Sequence, residues 1–102
     1  MGGKVKIEVL ASLAESLGME RTSEEVLPDQ GSGCDTSVRF FLNQLGKQYL
    51  RFGRVVFDIN AQKLTGTVII FLNGRALELI NGLETQLSDG DTLTFVPIIE
   101  GG

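Results

Sequence analysis

The stretch VIIFLNGRALELINGLETQLSDGDTLTFVPIIEGG, which runs from Val68 to Gly102, decides the fold of this chain. An apolar run leads into Asn73-Gly74, the pair that most readily takes the positive φ angles of a type I′ hairpin turn. Asp89-Gly90 is a second turn signal, and a final apolar strand, Thr92 to Val96, follows it. The stretch therefore predicts a hairpin, a last strand and a short tail.

Two further strand signals lie near the N-terminus. Lys4 to Leu10 alternates charged and apolar residues, the period of a half-buried strand, whereas Arg21 to Leu27 is more polar and suits an edge strand. We expect the two to pair as a hairpin. Between them, Ala11 to Gly18 is too short for a stable isolated helix and predicts a helical turn.

One helix is predicted in SVRFFLNQLGKQYL, Ser37 to Leu50. Asp35, Thr36 or Ser37 can cap its first turn. Gly46 inside it costs about 1 kcal/mol relative to alanine, and close packing against the sheet would account for it. The apolar stripe at spacings of three and four consists of Val38, Phe41, Leu42, Leu45 and Tyr49.

The order of strands around one helix predicts an α+β fold, a ubiquitin-like β-grasp in which a mixed sheet of four to five strands curls around one main helix. In the less regular region 51–66 we predict a short strand from Val55 to Ile59 and a turn from Asn60 to Gly66. We expect a domain of residues 1–97 and a flexible tail of residues 98–102. The predicted core consists of Val5, Ile7, Val9, Val38, Phe41, Leu42, Leu45, Val68, Ile70, Leu72, Leu77, Leu83, Leu87, Leu93 and Phe95.

Composition narrows the class of protein. With 102 residues, 42% of them apolar, the chain has the size of one domain. Its net charge of −4 disfavours nucleic acid and anionic membranes and favours protein partners with basic surfaces. No apolar run approaches the ~20 residues of a membrane helix, and no signal-type block is visible, so we expect a cytoplasmic protein.

The sequence offers little catalytic chemistry of its own. It has no histidine, which removes the commonest general base and metal ligand, and a single cysteine, Cys34, which cannot form an internal disulfide. A loop cysteine before a helix can be a nucleophile, but an incidental role is the simpler interpretation. The carboxylate pairs Glu24-Glu25 and Asp89-Asp91 are better explained by solvation and turn formation than by metal binding.

The face opposite the core suggests a partner surface. Because side chains alternate along a strand, Leu93 and Phe95 point inward and Val96 points outward, as does Phe71 on the neighbouring strand. Phe71 and Val96 then form an exposed apolar patch, and such patches usually mark binding surfaces. The alternative is that a loop partly covers this face.

The tail itself looks built for insertion into another protein. Exposure of the apolar side chains of Ile98 and Ile99 to solvent is unfavourable unless a partner protein binds them. Glu100 leads to Gly101-Gly102, where no Cβ obstructs passage through a narrow channel or crowds the terminal carboxylate.

These residues carry a resemblance. From Val68 to Gly102 the sequence resembles the C-terminal third of the ubiquitin-like sulfur carriers, above all the small subunit of molybdopterin synthase (MoaD type) and the thiazole carrier (ThiS type). The matching features are Asn73-Gly74, Leu87, Asp89-Gly90-Asp91, Pro97 and Gly101-Gly102. The longer region 51–66 and Ile98-Ile99-Glu100 depart from the pattern and leave the subfamily open.

The resemblance implies a non-catalytic carrier that binds no cofactor stably. Its Gly102 carboxylate would be adenylated by an activating enzyme of the MoeB/ThiF type that uses ATP, and then become a thiocarboxylate. An acceptor such as the molybdopterin synthase large subunit would receive the sulfur. The tail residues, Phe71 and Val96 would bind these partners. Sulfur supply for thiazole, tRNA thiolation or amino acids, conjugation to lysines as a protein modifier, and a plain binding module are the alternatives.

Overall fold

A computed structural model describes residues 3–27 and 36–98 of the chain. In this part of the chain, no helix is both long enough and apolar enough to cross a membrane. The strands are β1 (Lys4–Val9), β2 (Thr22–Val26), β3 (Phe57–Asp58), β4 (Lys63–Leu64), β5 (Val68–Leu72), β6 (Arg75–Ala76) and β7 (Thr92–Pro97). The helices are α1 (Ala11–Leu17), α2 (Val38–Gln48) and α3 (Phe52–Val55), with 3₁₀ turns at Leu77–Leu79 and Gly82–Glu84.

A five-stranded mixed sheet forms the centre of the fold, in the order β2-β1-β7-β5-β6. The first and last long strands, β1 and β7, are parallel neighbours, and the other pairs are antiparallel. The sheet packs one face against α2, so the predicted β-grasp is confirmed. The edge position predicted for β2 is also what the strand order shows.

The segment between β1 and β2 is a helix of seven residues, longer than the predicted helical turn. Gly18 ends α1 in the left-handed conformation at φ 71°, which a glycine adopts without strain. Leu13, Ala14 and Leu17 are buried on one side of α1. Tertiary packing therefore stabilises a seven-residue helix that its length alone would not support.

The main helix begins at a capped turn. The Ser37 Oγ accepts a hydrogen bond from the Phe40 N–H at 3.2 Å, which satisfies one free amide of the first turn. The explanation that we gave for Gly46 is wrong. A Cβ there would lie 2.6 Å from Ile59 Cδ1 and 3.3 Å from Gly53 Cα, so Gly46 accommodates α3 and the turn after it, not the central sheet.

Three boundaries differ from the prediction. Instead of one strand from Val55 to Ile59, the chain forms α3 and then β3, which pairs with β4 in a separate two-stranded sheet. The second arm of the Asn73-Gly74 hairpin is short, because the chain turns into a 3₁₀ helix after Ala76. The last strand extends one residue further, since Pro97 still pairs with Val68.

The core agrees closely with the prediction. Of the predicted core residues, Leu83 is half-buried and the others are buried. The helix and strand that follow α2 supply large buried side chains that were not predicted: Phe52 packs edge-on against Phe95, with 5.5 Å between ring centroids. The remaining additions are Leu13, Ala14, Leu17, Met19, Leu27, Val56 and Phe57.

Candidate functional site

The sheet holds the chain up to the start of the predicted tail. Pro97 lies opposite Val68 at the end of β7, and the Ile98 N–H donates a hydrogen bond to the Thr67 carbonyl at 3.0 Å. The Ile98 side chain is 45% exposed. Ile98, which we assigned to the tail, is thus attached to the sheet through its backbone. Ile99, Glu100, Gly101 and Gly102 lie outside the described residues.

The outer face of the sheet carries the apolar side chains that the alternation predicted. Val96 lies directly opposite Ile69, and Phe71 lies one step along, opposite Thr94. All three apolar side chains are half-buried, whereas their strand neighbours Ile70 and Phe95 point into the core. Phe71 and Val96 are therefore diagonal neighbours on the outer face, although neither is as exposed as predicted.

Leu10 extends this surface onto the next strand. Val9 pairs with Phe95, and the Leu10 N–H donates to the Phe95 carbonyl at 3.4 Å, which brings Leu10 beside Val96. Leu10 is 47% exposed. We call Leu10, Ile69, Phe71 and Val96 the outer apolar face. Leu10 was missed as a surface residue, but the signal was present: two successive apolar residues, Val9 and Leu10, break the alternation at the end of the first strand.

A hollow of about 270 Å³ lies where the chain leaves the sheet. It exists because β6 pairs only with Phe71 and Leu72, so that the first half of β5 has no neighbour on that side within the described residues. Apolar side chains line most of the hollow, with one carboxylate among them. The lining includes Leu64, Val68, Ile70, Leu77, Glu78 and Ile98.

At the end of the sheet opposite Ile98, hydrogen bonds join the Asn73-Gly74 turn to the turn that precedes β7. Asn73 donates from Nδ2 to Asp91 Oδ1 at 3.0 Å and accepts at Oδ1 from the Thr92 N–H at 2.9 Å. Asp91 Oδ2 accepts from the Ser88 N–H at 2.8 Å, and Asp89 Oδ1 accepts from the Lys4 N–H at 2.9 Å. Asp91 therefore closes the turn before β7, as predicted, whereas Asp89 links that turn to the start of β1.

Charged groups border the outer apolar face without forming a catalytic cluster. Glu8 lies 3.7 Å from the Lys6 ammonium and accepts a hydrogen bond from the Thr94 hydroxyl at 3.4 Å. Among the described residues, no group of three or more Asp, Glu, His or Cys side chains is placed to hold a metal ion. Glu24 pairs with the exposed Lys6 and Glu25 pairs with the buried Val5, so the two glutamates point to opposite faces of β2. Cys34 lies outside the described residues.

Comparison with known proteins fits this geometry. The model of the ThiS family matches residues 7–102. A protein of Archaeoglobus fulgidus, provisionally described as a sulfur carrier protein, is 40% identical over 40 residues, which are 39% of this chain and 46% of that protein. That match therefore spans less than half of the relative.

Two solved structures show the same fold across the chain. The small archaeal modifier protein 1 (SAMP1) of Methanosarcina acetivorans superposes with a TM-score of 0.76 at 25% identity, covering 100% of this chain and 99% of that one. A Pyrococcus furiosus protein, provisionally described as molybdopterin converting factor subunit 1, superposes with a TM-score of 0.69 at 24% identity, covering 95% and 99%. Because the family model matches nearly the whole chain, this protein belongs to the ThiS family of β-grasp carriers.

Proposed function

We propose that this protein is a sulfur carrier whose Gly102 carboxylate is adenylated and then converted into a thiocarboxylate. The observation that carries the proposal is the match to the ThiS family over residues 7–102, a range that includes Gly101 and Gly102. The attachment of Ile98 to the sheet supports it, because a rigid base would aim the residues that follow.

The chemistry requires activation because a carboxylate is a poor electrophile. Attack of the Gly102 carboxylate on the α-phosphate of ATP forms an acyl adenylate and releases pyrophosphate. A sulfur nucleophile then attacks the acyl carbon, and AMP leaves. If the nucleophile is a persulfide, the resulting acyl disulfide is cleaved by a second thiol, which is oxidised to a disulfide as the thiocarboxylate is released.

The partner enzyme supplies the catalytic groups in this scheme. We assign adenylation, and the use of ATP, to an activating enzyme of the MoeB/ThiF type. The carrier contributes a reactive terminus and a surface that docks it. The outer apolar face suits this second task, because Ile69 and Val96 lie beside the point where Ile98 leaves β7.

As the acceptor we propose an enzyme of molybdopterin formation, such as the large subunit of molybdopterin synthase. The resemblance of the C-terminal third to the small subunit of that enzyme supports this choice. Thiazole formation, tRNA thiolation and amino-acid sulfur supply are the other acceptor pathways that the same thiocarboxylate would serve.

Conjugation to proteins is the second candidate function. The specific observation in its favour is the similarity to SAMP1 of Methanosarcina acetivorans, a small archaeal modifier protein, over the full length of both chains. A lysine amine of a target protein would then attack the acyl carbon of the same acyl adenylate, so that an isopeptide bond forms and AMP leaves.

One experiment separates these functions. The purified chain is incubated with ATP, an activating enzyme and a sulfur donor, and its intact mass is measured. A carrier gains about 16 Da, the difference between sulfur and oxygen, at its C-terminal residue. A modifier appears as a Gly-Gly remnant on lysines of other proteins. A plain binding module shows neither change and retains its partner when Gly101 and Gly102 are deleted.

A further inference from the structure

A second groove lies away from the tail, between the edge strand β2 and the main helix α2. Its volume is about 360 Å³. Leu27, Phe40 and Phe41 form an apolar end, and Glu25 and Gln48 lie together at a polar end, where Gln48 Nε2 donates to Glu25 Oε2 at 3.5 Å. The groove therefore changes from apolar to acidic along its length.

The backbone of β2 is open to a further strand. The Leu27 N–H donates to the Gly3 carbonyl at 2.7 Å, and the Val9 N–H donates to the Arg21 carbonyl at 2.8 Å, so these positions of the β2 segment face β1. In an antiparallel pair the alternate residues, Thr22, Glu24 and Val26, turn their N–H and C=O groups outward. Within residues 3–27 and 36–98, no strand lies on that side of β2.

A peptide that pairs with this edge would place alternate side chains over the groove. The residue opposite Leu27 would meet Phe40 and Phe41, and the residue opposite Glu25 would meet its carboxylate. Main-chain hydrogen bonds would hold such a peptide extended, and the groove would select its side chains. The peptide must therefore carry an apolar residue opposite Leu27 and, two positions away, a residue whose side chain complements Glu25.

Charge identifies the second residue. The ion pairs in the described part of the chain are Lys6–Glu8 and Arg39–Glu84, so no lysine or arginine there neutralises Glu25. A second copy of this chain is a poor occupant, because antiparallel pairing of two β2 strands would bring the Glu24-Glu25 pairs together. Like charges placed across strands are destabilising.

We propose that the groove between β2 and α2 binds an extended segment of a partner protein that carries an apolar residue and a lysine or arginine two positions apart. The site is compatible with simultaneous use of the tail. Because β2 runs antiparallel to β1 and β1 parallel to β7, the Leu27 end of the groove lies at the opposite end of the sheet from Ile98.

The test uses the full chain and a synthetic peptide of threonines in which a valine and a lysine stand two positions apart. Backbone amide spectra recorded during titration should show shifts at Thr22, Glu24 and Val26 and along α2. A matched peptide with glutamate in place of lysine should bind more weakly, by about threefold to fivefold. Absence of binding at millimolar peptide, or shifts confined to the outer apolar face, would overturn the proposal.

Two variants locate the interaction. Glu24→Pro removes an outward N–H without touching the β1 ladder and should weaken lysine-peptide binding at least about tenfold. Glu25→Lys should reverse the preference, so that the glutamate peptide binds better. Glu15→Gln, a charge change on the exposed side of α1, should leave both affinities unchanged.

Light scattering provides an independent check. The full chain should be monomeric at the concentrations of the titration. If the parent is a dimer and Glu24→Pro is a monomer, a second copy of the chain occupies the edge of β2, which would contradict the proposal of a partner segment. An unchanged preference in a folded Glu25→Lys variant would contradict the role given to charge. Melting curves show which variants are folded.

Discussion

The side-chain amide of Asn73 donates a hydrogen bond to Oδ1 of Asp91 at 3.0 Å, and the turn between β5 and β6 is thereby tied to the turn that precedes β7. Asn73 itself has φ 51°, a conformation that asparagine tolerates better than most residues. Two turn signals that look independent in the sequence are thus parts of one hydrogen-bonded structure.

Asn73→Ala should lower the free energy of unfolding by about 1–2 kcal/mol, because it loses the bonds to Asp91 and Thr92 and strains a left-handed position. Urea denaturation measures the change. Asn60→Ala, on an exposed turn where the backbone is not left-handed, is the matched control and should stay within about 0.5 kcal/mol of the parent. Equal effects of the two substitutions would show that the link between the turns contributes nothing.

Gly46→Ala should destabilise the fold by about 1 kcal/mol, since overpacking against Ile59 outweighs the gain in helix propensity. Ile59→Val removes the methyl that a new Cβ would meet at 2.6 Å. In that background, Gly46→Ala should be neutral or stabilising, which a double-mutant cycle in urea detects. Strict additivity of the two changes would mean that the helix contact with Ile59 is not what requires glycine.

Phe71→Asp should weaken binding to the activating enzyme about tenfold, because it places a charge in the outer apolar face. Since Phe71 is half-buried and opposite Thr94, the melting temperature should fall by only a few degrees. Leu50→Asp, at a side chain that is 77% exposed elsewhere on the surface, serves as the control for added charge. Unchanged binding in a folded Phe71→Asp protein would remove this face from the docking surface.

The parts of the fold that could be predicted are those in which local pattern and tertiary packing agree. This holds for the alternation in β1 and β7, for the helical stripe of α2 and for the Asn73-Gly74 turn. In each case the local sequence pattern and the tertiary packing favour the same structure. The inward and outward faces of β5 and β7 also follow from alternation alone, which is why the prediction placed Phe71 and Val96 on the correct side of the sheet.

The region after α2 could not be predicted because its structure depends on contacts far along the chain. Phe52 is buried by packing on Phe95, and Gly53 approaches Gly46 across the gap between two helices. Neither contact leaves a periodic signal in residues 51–66. The groove of β2 and α2 was missed for a related reason: Leu27 and Phe40 belong to segments separated in sequence, and only the fold brings them together.

The central claim is that the Gly102 carboxylate is the reactive group. The most direct measurement compares the full chain with a Gly102 deletion, each incubated with ATP, the activating enzyme and a sulfur donor, by mass spectrometry of the C-terminal peptide. We expect the full chain to gain about 16 Da and the deletion to gain nothing while melting at the same temperature. A gain of sulfur in the deleted protein, or none in the full chain while a known carrier reacts beside it, would contradict the account.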